Sequence, residues 1–563
     1  MYIEHWLKLF YSPLLSSLYL RRMPRFSFFL GLLILLSACQ ASETDESKMI
    51  FRYNESAGVS SLDPAFSRNL ENLWVCNMLF NGLVEIDDQL DIKPAIAQSW
   101  TIDSTGTFYR FQLRDDIYFH DSEVFPAGKG RKVVAADVVY SFERVLSPEL
   151  ASPGSWVFAA AADSLPFRAI GDTVVEIRLS KAFPPFLGIL GMKYCSIVPR
   201  EAVDYYKDDF RKNPVGTGPF RFHFWIENTR LVLLPNDHYF ERDEQGNKLP
   251  YIDAVSVSFI PDKGAAYLDF VKGNFDMISG LHSSYADELL TPTGELNPLY
   301  ANDFKLEKHP FLNTDYLAFN VNPAAGEQGI WKNPDFRRAM SYAIDRRAMV
   351  RYLRNNVYTP GTGGFIPKGM PGFQPTVGYD FQPDSVRKIL DRLGFPGGKG
   401  LPTIQLSTTT DYVDICEYVQ HQLGNFGIPI KVDVLPASVH RERSARGDLI
   451  FFRKSWLADY PDDENFMALF YSANMVPNGP NYSQYSNPIF DKLYDRALAT
   501  VEREDRIELY RQMDSIVMLT APVMPLYYDE VVRILSKNVE GLDRNPLNVL
   551  DLRRVKLTLN VVQ

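Results

Sequence analysis

The sequence predicts an α/β fold organised around a parallel sheet. Strand-like and helix-like segments alternate along most of the chain. The clearest group is a strand over 403–408, a helix over 412–426 and a second strand over 430–435. Because such a crossover is right-handed and returns the chain to the same sheet, these two strands are expected to lie parallel.

Further elements follow from the same patterns. Residues 107–113 and 173–179 are typical of strands, and residues 134–146 are typical of a helix. An apolar run over 448–452 predicts one more strand of the parallel sheet. The residues after it would then lie at the carboxyl end of that strand, where open α/β sheets bind their ligands.

Two helices carry clear end signals. One is predicted over 334–354, with Asn333 as its N-cap and Pro334 in its first position. Another is predicted over 383–393. It is closed by Gly394, which can adopt the left-handed conformation found at helix C-termini.

The first 38 residues are typical of a secretory signal. Three arginines within 21–25 precede an apolar run over 26–36. This run is too short to span the hydrocarbon core of a membrane, which needs about 20 helical residues. We therefore exclude residues 1–38 from the fold, with Met23 as an alternative start of translation.

Cys39 is the predicted site of lipid attachment and hence of membrane anchoring. It ends the run LSAC at 36–39, which matches the lipobox pattern. The alternative is an ordinary signal peptide in which this cysteine has no special role. The polar residues 39–48 would form a flexible tether between the lipid and the folded part.

Composition agrees with an exported globular protein. The 563 residues suffice for several domains, and the formal net charge is −10. Nucleic acids and anionic membrane surfaces attract basic proteins, so neither is an expected partner. Cys76, Cys195 and Cys416 are widely spaced and form no metal-binding pair. We expect buried thiols, although one disulfide is compatible with the sequence.

The sequence lacks the common enzyme motifs. It has no Gly-x-Ser-x-Gly, His-Glu-x-x-His or Walker A pattern, and its eight histidines are scattered. The acids within 459–464 are neighbours in one turn, without the ligand spacing of a calcium loop or the convergence of an acid–base pair. We therefore expect no catalytic residues, no metal and no cofactor.

The segment 453–466 is the most informative for function. It places Trp456 three residues before Asp459, after an apolar strand-like run. An aromatic ring and a carboxylate could thus share one cavity wall. A desolvated carboxylate needs a cationic partner, and the ammonium group of a ligand would serve. The alternative is a solvated acidic turn after an ordinary edge strand.

Eight further motifs occur in a defined order along the chain. They lie at 61–65, 79–84, 94–100, 111–121, 135–142, 213–220, 336–346 and 386–390. With the segment 453–466, they resemble the large peptide-type substrate-binding proteins of ABC importers, the family 5 that includes oligopeptide-, dipeptide- and nickel-binding proteins. Two positions depart from the family pattern, Ser122 where Gly is usual and Asp463 where Pro is common.

The resemblance implies a two-lobed fold of the periplasmic-binding-protein type with a ligand cleft between the lobes. The first lobe would comprise 49–85, 207–306 and 521–563, and the second lobe 307–520. An extra domain, 86–206, would be inserted in the first lobe. We expect hinges at 308–310 and 520–522, where the chain crosses between the lobes.

The resemblance also implies roles for the residues of the signature segment. Asp459 would bind the α-ammonium of a peptide, beside the wall formed by Trp456. Arg453 would bind a peptide carboxylate; its alternative is a charge that pairs with a nearby acid. Ser455 and Tyr460 complete the predicted site. The loop 216–219 could approach the ligand or form only a tight turn.

The function implied is the capture of oligopeptides or dipeptides and their delivery to the permease and ATPase subunits of an ABC importer. The protein would be a monomer, anchored by lipid to a membrane and located in the periplasm. Two alternatives stay open. The same fold could bind a non-peptide ligand such as a metal chelate or an oligosaccharide, or the lipoprotein could act as a sensor or scaffold outside transport.

Overall fold

The computed structural model describes residues 48–282, 285–322 and 329–558. The predicted signal segment 1–38 and Cys39, the predicted site of lipid attachment, lie outside the described residues, as does the predicted tether except for Lys48. Residues from Met49 onward form one compact unit. Within the described ranges, no helix combines the length and apolar character needed to cross a membrane.

The strands are numbered in chain order. They are β1 Ile50–Asn54, β2 Val84–Ile86, β3 Ile92–Pro94, β4 Ala97–Ile102, β5 Phe108–Leu113, β6 Phe167–Ile170, β7 Val174–Arg178, β8 Phe220–Ile226, β9 Arg230–Pro235, β10 Ala254–Ser258, β11 Met277–Ser279, β12 Phe304–Phe319, β13 Thr359–Pro360, β14 Ile404–Thr408, β15 Ile430–Val434, β16 Phe451–Leu457, β17 Val523–Ser536, β18 Val539–Glu540 and β19 Lys556–Leu557.

The helices surround these strands. The α-helices are Leu70–Leu79, Ala135–Leu146, Phe186–Ile189, Arg200–Tyr206, Lys263–Val271, Ala286–Leu289, Pro334–Tyr342, Arg346–Leu353, Pro383–Arg392, Val413–Gly424, Ala437–Arg446, Glu464–Met467, Pro488–Ala499 and Arg503–Thr520.

One large sheet contains strands of both predicted lobes, which form its two halves. Its strands follow the order β15-β14-β16-β12-β17-β11-β1-β10-β9-β8, with β13 also beside β17. The long strands β12 and β17 pair antiparallel in its centre. On one side β12 pairs with β16, and on the other β17 pairs with β11. The two halves of the sheet are therefore joined by the same two strands.

The parallel unit expected from the sequence is confirmed. Strands β14 and β15 pair parallel from Ile404 with Ile430 to Thr408 with Val434, and the helix Val413–Gly424 connects them. Strand β16 lies parallel to β14 on its other side. The carboxyl ends of these three strands therefore point the same way, as a binding edge of an α/β sheet requires.

The pairing of β12 with β17 is interrupted where the two halves meet. Pro310 pairs with Glu530 and Thr314 pairs with Tyr528, so the register shifts between these positions. The expected hinge at 308–310 lies directly before this shift. The other expected hinge, 520–522, lies before β17 begins. A register shift interrupts the regular ladder and bends a strand locally. Rotation at these positions stays a prediction.

A second, four-stranded antiparallel sheet has the order β4-β5-β7-β6. All four strands lie within the sequence predicted as the inserted domain, 86–206. Near this domain, Leu90 packs into a core made mainly of second-lobe residues, and Tyr460 packs into the core that contains the small sheet. Side chains thus interlock between the inserted segment and the second lobe. The domain limits themselves stay a prediction.

The helix predicted over 334–354 is two helices in the structure. Asn333 caps the first as expected, since its side chain accepts a hydrogen bond from the Asp335 backbone N–H. The second begins after Asp345, whose side chain accepts from the Ala348 N–H at 2.9 Å. Asp345 acts as a new N-cap and stops the first helix, although the apolar periodicity continues through it.

The glycine loop 216–219 is a tight packed turn. Gly218 N–H donates to Leu79 O at 2.9 Å, and the His120 ring bonds Gly218 O at 2.9 Å. A Cβ placed on Gly218 would lie 2.4 Å from the Leu79 carbonyl carbon and 2.4 Å from Met78 O. The loop does not line the large cavity described below. Its glycines are needed for close backbone packing.

We predict that Gly218→Ala lowers the melting temperature strongly, because backbone atoms of the neighbouring helix end cannot move away from the new methyl group. Differential scanning calorimetry measures the effect. Gly424→Ala is the matched control: no atom lies within 4 Å of its Cβ position, and alanine favours the helix in which it lies. Equal melting temperatures for the two variants would contradict the packing argument.

Candidate functional site

Strand β16 positions the signature segment. It covers Phe451–Leu457, not the predicted 448–452, so Arg453 and Trp456 lie within the strand. The later start has a local cause. The helix Ala437–Arg446 ends at Gly447 in the left-handed conformation, and the Asp448 N–H still donates to Arg443 O. Asp459 lies two residues beyond the carboxyl end of the strand.

A cavity of about 900 Å³ lies at this end of β16. Its wall contains Leu457, Ala458 and Asp459 from the second lobe. The predicted first lobe and inserted domain contribute segments within 67–77, 85–93, 153–156, 191–194 and 543–554. All three predicted domains therefore meet around one space, whose volume is that of a small-molecule or peptide site.

Asp459 presents a carboxylate to this cavity without a cationic partner. No Lys, Arg or His nitrogen of the described ranges lies within 4.0 Å of it. Its side chain is open to the cavity, yet protein surrounds the cavity on several sides. Burial accordingly raises the pKa of the Asp459 carboxyl, and a hydrogen bond with Asn465 partly offsets this. The Asp459 carboxylate can therefore form an ion pair with a cationic group of a ligand.

Asn465 holds the turn that carries Asp459. Its Oδ1 accepts from Trp456 Nε1–H at 2.8 Å and from the Asp459 N–H at 3.3 Å. Trp456 itself is half-buried and is not part of the cavity wall. The structure thus places the indole behind the turn, where it fixes Asn465. The sequence offers no signal for this role of Asn465.

Arg453 also lies away from the cavity wall. Its guanidinium forms an ion pair with Asp315 of β12: Nε–H donates to Oδ1 at 3.3 Å, and Nη2–H donates to Oδ2. Both side chains are largely buried, 11% and 1% exposed. The guanidinium also lies over the Tyr412 ring, 3.2 Å from its centroid. This is the charge-pairing alternative; binding of a ligand carboxylate by Arg453 stays a prediction.

The two other predicted site residues lie beside the cavity without lining it. Tyr460 is buried; its hydroxyl donates to Glu464 and its ring lies 6.4 Å from the Trp156 ring. Ser455 is half-buried on β16, opposite Asp315 in the register with β12. Trp156, by contrast, lines the cavity. No sequence motif marks it as a site residue.

The floor of the cavity carries a charge network that sequence reasoning missed. Arg553 binds Glu85 at 3.1 Å, Glu241 at 2.5 Å and Asp551 at 2.6 Å. The three acids come from distant parts of the chain, and only the fold brings them together. Burial and the neighbouring acids act against ionisation of Glu85, while Arg553 favours it. All three acids of the network are thus paired with Arg553.

Comparison with known families identifies the chain. The family model of bacterial extracellular solute-binding proteins, family 5 (middle), matches residues 91–478, well over half of the sequence. The chain belongs to this family. It is therefore an extracellular or periplasmic substrate-binding protein of the ABC-importer type, not an enzyme, and the resemblance seen in the sequence is confirmed.

Individual relatives have different ligands in their names. The chain is 28% identical to a probable D,D-dipeptide-binding periplasmic protein of Escherichia coli over 509 residues, which covers 88% of this chain and 91% of the relative. It is 26% identical to heme-binding protein A of Haemophilus influenzae over 487 residues, with 83% and 85% coverage.

Solved structures confirm the predicted two-lobed fold. A periplasmic murein tripeptide-binding protein in its unliganded open form matches with a TM-score of 0.77 at 23% identity, covering 91% of this chain and 98% of the other. A periplasmic binding protein of Helicobacter pylori in complex with the peptide STSA matches with a TM-score of 0.69 at 25% identity, with 92% and 100% coverage.

The three remaining cysteines agree with the expectation of buried thiols. Cys76, Cys195 and Cys416 are buried and free. Burial raises the pKa of all three thiols, so they are unreactive at neutral pH.

We predict that Arg453→Met destabilises the protein by about 3–5 kcal/mol, because it leaves Asp315 buried without its cation. The double variant Arg453→Met/Asp315→Leu should recover much of this loss, since both buried charges are then gone. Urea unfolding measures both. Arg200→Met removes an exposed ion pair with Asp204 and should cost less than about 1 kcal/mol. A single variant as stable as wild type would contradict the structural role.

We predict that Asp463→Asn removes part of the pH dependence of stability. Burial and the neighbouring Asp462 raise the pKa of Asp463 to about 8, so the folded protein holds a proton that the unfolded chain releases near the ordinary aspartate pKa. Stability from this group is present at low pH and is lost as the pH rises through about 8, by at most about 1.4 kcal/mol per pH unit.

The neutral amide should flatten this slope between pH 5 and 8. It can also still accept the hydrogen bond from Gly372 N–H. Asp115→Asn, an exposed position, is the control. Identical slopes for wild type and Asp463→Asn in urea unfolding would show that Asp463 ionises normally in the folded state.

Proposed function

We propose that this protein binds short peptides in the 900 Å³ cavity and delivers them to the permease of an ABC importer. The observation that carries the proposal is Asp459, a carboxylate that lines the cavity, has no ion-pair partner among the described residues and lies where all three predicted domains contribute to the wall. A free α-ammonium is the positive group that every unmodified peptide supplies. Its charge-assisted hydrogen bond with Asp459 would replace the water that the cavity excludes.

The relatives support peptides over the other ligands considered. Names of the matched proteins include dipeptide- and di/tripeptide-binding proteins, and one matched structure holds the peptide STSA. Heme is also named among the relatives. A porphyrin carries carboxylates and no ammonium, so the unpaired Asp459 would oppose it, whereas a peptide satisfies it.

Strand β16 and the β12–β17 pair give a mechanism for capture. Asp459 lies on the second lobe, and most of the facing wall belongs to the first lobe and the inserted domain. A ligand that contacts both sides favours the closed arrangement by its differential affinity for the two states. Rotation at the register shift between Pro310 and Thr314 would bring the sides together.

The remaining features of the proposal follow from the sequence. Cys39 would carry the lipid that holds the protein at a membrane, and the protein would act as a monomer. Trp456 and Tyr460 would position the Asp459 turn from behind. Ser455 and Arg453 would contribute to the ligand site only through the strand that they share with Trp456.

We predict that Asp459→Asn weakens binding of an unmodified peptide by roughly 30-fold or more, since truncating one partner of a desolvated charge pair costs about 2–5 kcal/mol. A mixed library of free di- to pentapeptides, read by native mass spectrometry, identifies a binder, and calorimetry then measures it. N-acetylation of that peptide should cause a comparable loss in wild type. The two losses should not add, because both remove the same interaction.

Asp88→Asn is the matched control, since Asp88 also lines the cavity and is likewise exposed, but it lies in the predicted inserted domain and not at the end of β16. It makes the same change in charge and should leave affinity within a few-fold of wild type. If Asp459→Asn binds the free peptide as tightly as Asp88→Asn does, Asp459 is not the amine anchor, and a non-peptide ligand becomes the better hypothesis.

A further inference from the structure

The cavity wall carries a second charge that has no ion-pair partner in the described ranges, of opposite sign to Asp459. Lys193 begins a short 3₁₀ turn, Lys193–Cys195, in the inserted domain and lines the cavity wall. Burial lowers the pKa of its ammonium group. Across the described ranges, no carboxylate oxygen lies within 4.0 Å of its Nζ. A desolvated ammonium without a counter-ion is unfavourable unless a ligand supplies one.

The acids closest to Lys193 already have another partner. Glu85 and Asp551 both contact Arg553, at 3.1 and 2.6 Å. They act on Lys193 only through the longer-range field, and Arg553 opposes them. The remaining neighbour is the Cys76 thiol, which burial keeps protonated. Glu85 and Asp551 are therefore paired with Arg553, and neither forms an ion pair with Lys193.

The other cations of the cavity wall are paired or exposed. Lys93 is exposed and paired with Asp87 at 3.2 Å and with Asp91 at 3.4 Å. Arg553 is paired as described above, and Arg68 and Arg554 are exposed. Lys193 is half-buried and lacks an ion pair within the described ranges, and Asp459 also lacks one there.

Lys193 and Asp459 face one shared space from different domains. Both line the same cavity, Lys193 from the inserted domain and Asp459 from the end of β16. Tyr194, the residue after Lys193, lies close enough to feel the charges of both Arg68 and Asp459. Both residues therefore face the space that a bound ligand would occupy.

We infer that Lys193 binds an anionic group of the solute, the terminal carboxylate of a peptide, while Asp459 binds its ammonium. This inference rests on the proposed function and adds a specificity-determining residue to it. Arg453, which the sequence favoured for the carboxylate, is held by Asp315 inside the second lobe. Lys193 instead places the negative end of the ligand on the predicted inserted domain. The ligand then connects this domain with the second lobe, which carries Asp459.

The test compares one library-selected peptide with its C-terminal amide on four proteins: wild type, Lys193→Met, Lys93→Met and Arg68→Met. Calorimetry should show at least a tenfold loss for the free peptide on Lys193→Met. Amidation should cause a similar loss on wild type and almost none on Lys193→Met. Lys93→Met, an already paired lysine of the same cavity, should respond to amidation as wild type does.

Folding is checked separately. Methionine keeps the length of the lysine stem and removes a desolvated charge, so Lys193→Met should melt no lower than wild type. Lys193→Arg keeps the charge and should retain part of the affinity. If Lys193→Met does not fold, Lys193→Gln replaces it, and the effect of amidation on wild type is measured independently of any variant.

The outcomes separate the two proposals. If no library peptide binds wild type, the proposed function fails and this inference fails with it. If a peptide binds and Asp459→Asn weakens it, but Lys193→Met still distinguishes the free acid from the amide, the peptide function stands and the role of Lys193 is wrong. Loss of that distinction in Arg68→Met alone would assign the carboxylate to Arg68 and overturn the inference.

Discussion

The antiparallel pair of β12 and β17 is the constraint on which the rest of the structure depends. These two long strands are shared by both halves of the large sheet. Their ladder shifts register between Pro310 and Thr314 and again between Asp315 and Tyr316. The ladder is regular before and after this short stretch, and the two shifts bend the strands locally within it. The signature strand β16 is paired to β12, so its position depends on the same pair.

Two buried arginines secure the approach to β17. Arg337 donates to Thr520 O at 2.6 Å and Ala521 O at 2.7 Å, and Arg346 donates to Pro525 O at 2.6 Å. Arg337 thus satisfies carbonyl groups at the C-terminal end of the helix Arg503–Thr520, and Arg346 satisfies one at the start of β17. The family motif around them is thus largely structural. It fixes where the second crossing strand begins, which in turn fixes the binding edge.

The charges of the structure fall into two classes with different roles. Arg453 with Asp315, and Arg553 with its three acids, are desolvated and paired within the protein. They hold strands and domains in place. Asp459 and Lys193 line the cavity and have no counter-ion in the part of the chain that the structure describes. Since an uncompensated charge is unfavourable in a closed site, these two groups favour ligands that bring the missing charges. Whether a charged side chain stabilises the fold or binds a ligand therefore depends on whether it has an ion-pair partner in the protein, and not on its residue type alone.

The sequence by itself determined the α/β class, the parallel unit β14–β15 and the helix start at Asn333, because these depend on local periodicity and capping. The family followed from the resemblance of its ordered motifs. The sequence also placed Asp459 just beyond a strand end. It misplaced the start of β16 and missed the second cap at Asp345, where a local hydrogen bond overrides the apolar pattern.

Only the tertiary structure decided the partners of the charged groups. Arg453 and Asp315 are 138 residues apart in the chain, and Arg553 and Glu85 are 468 apart. No spacing rule connects such positions, since the contact exists only after the strands and domains have packed. The same reason hides Lys193 and Trp156 from sequence reasoning. Their roles depend on which surfaces the fold brings to one cavity and on which charges it leaves unpaired there.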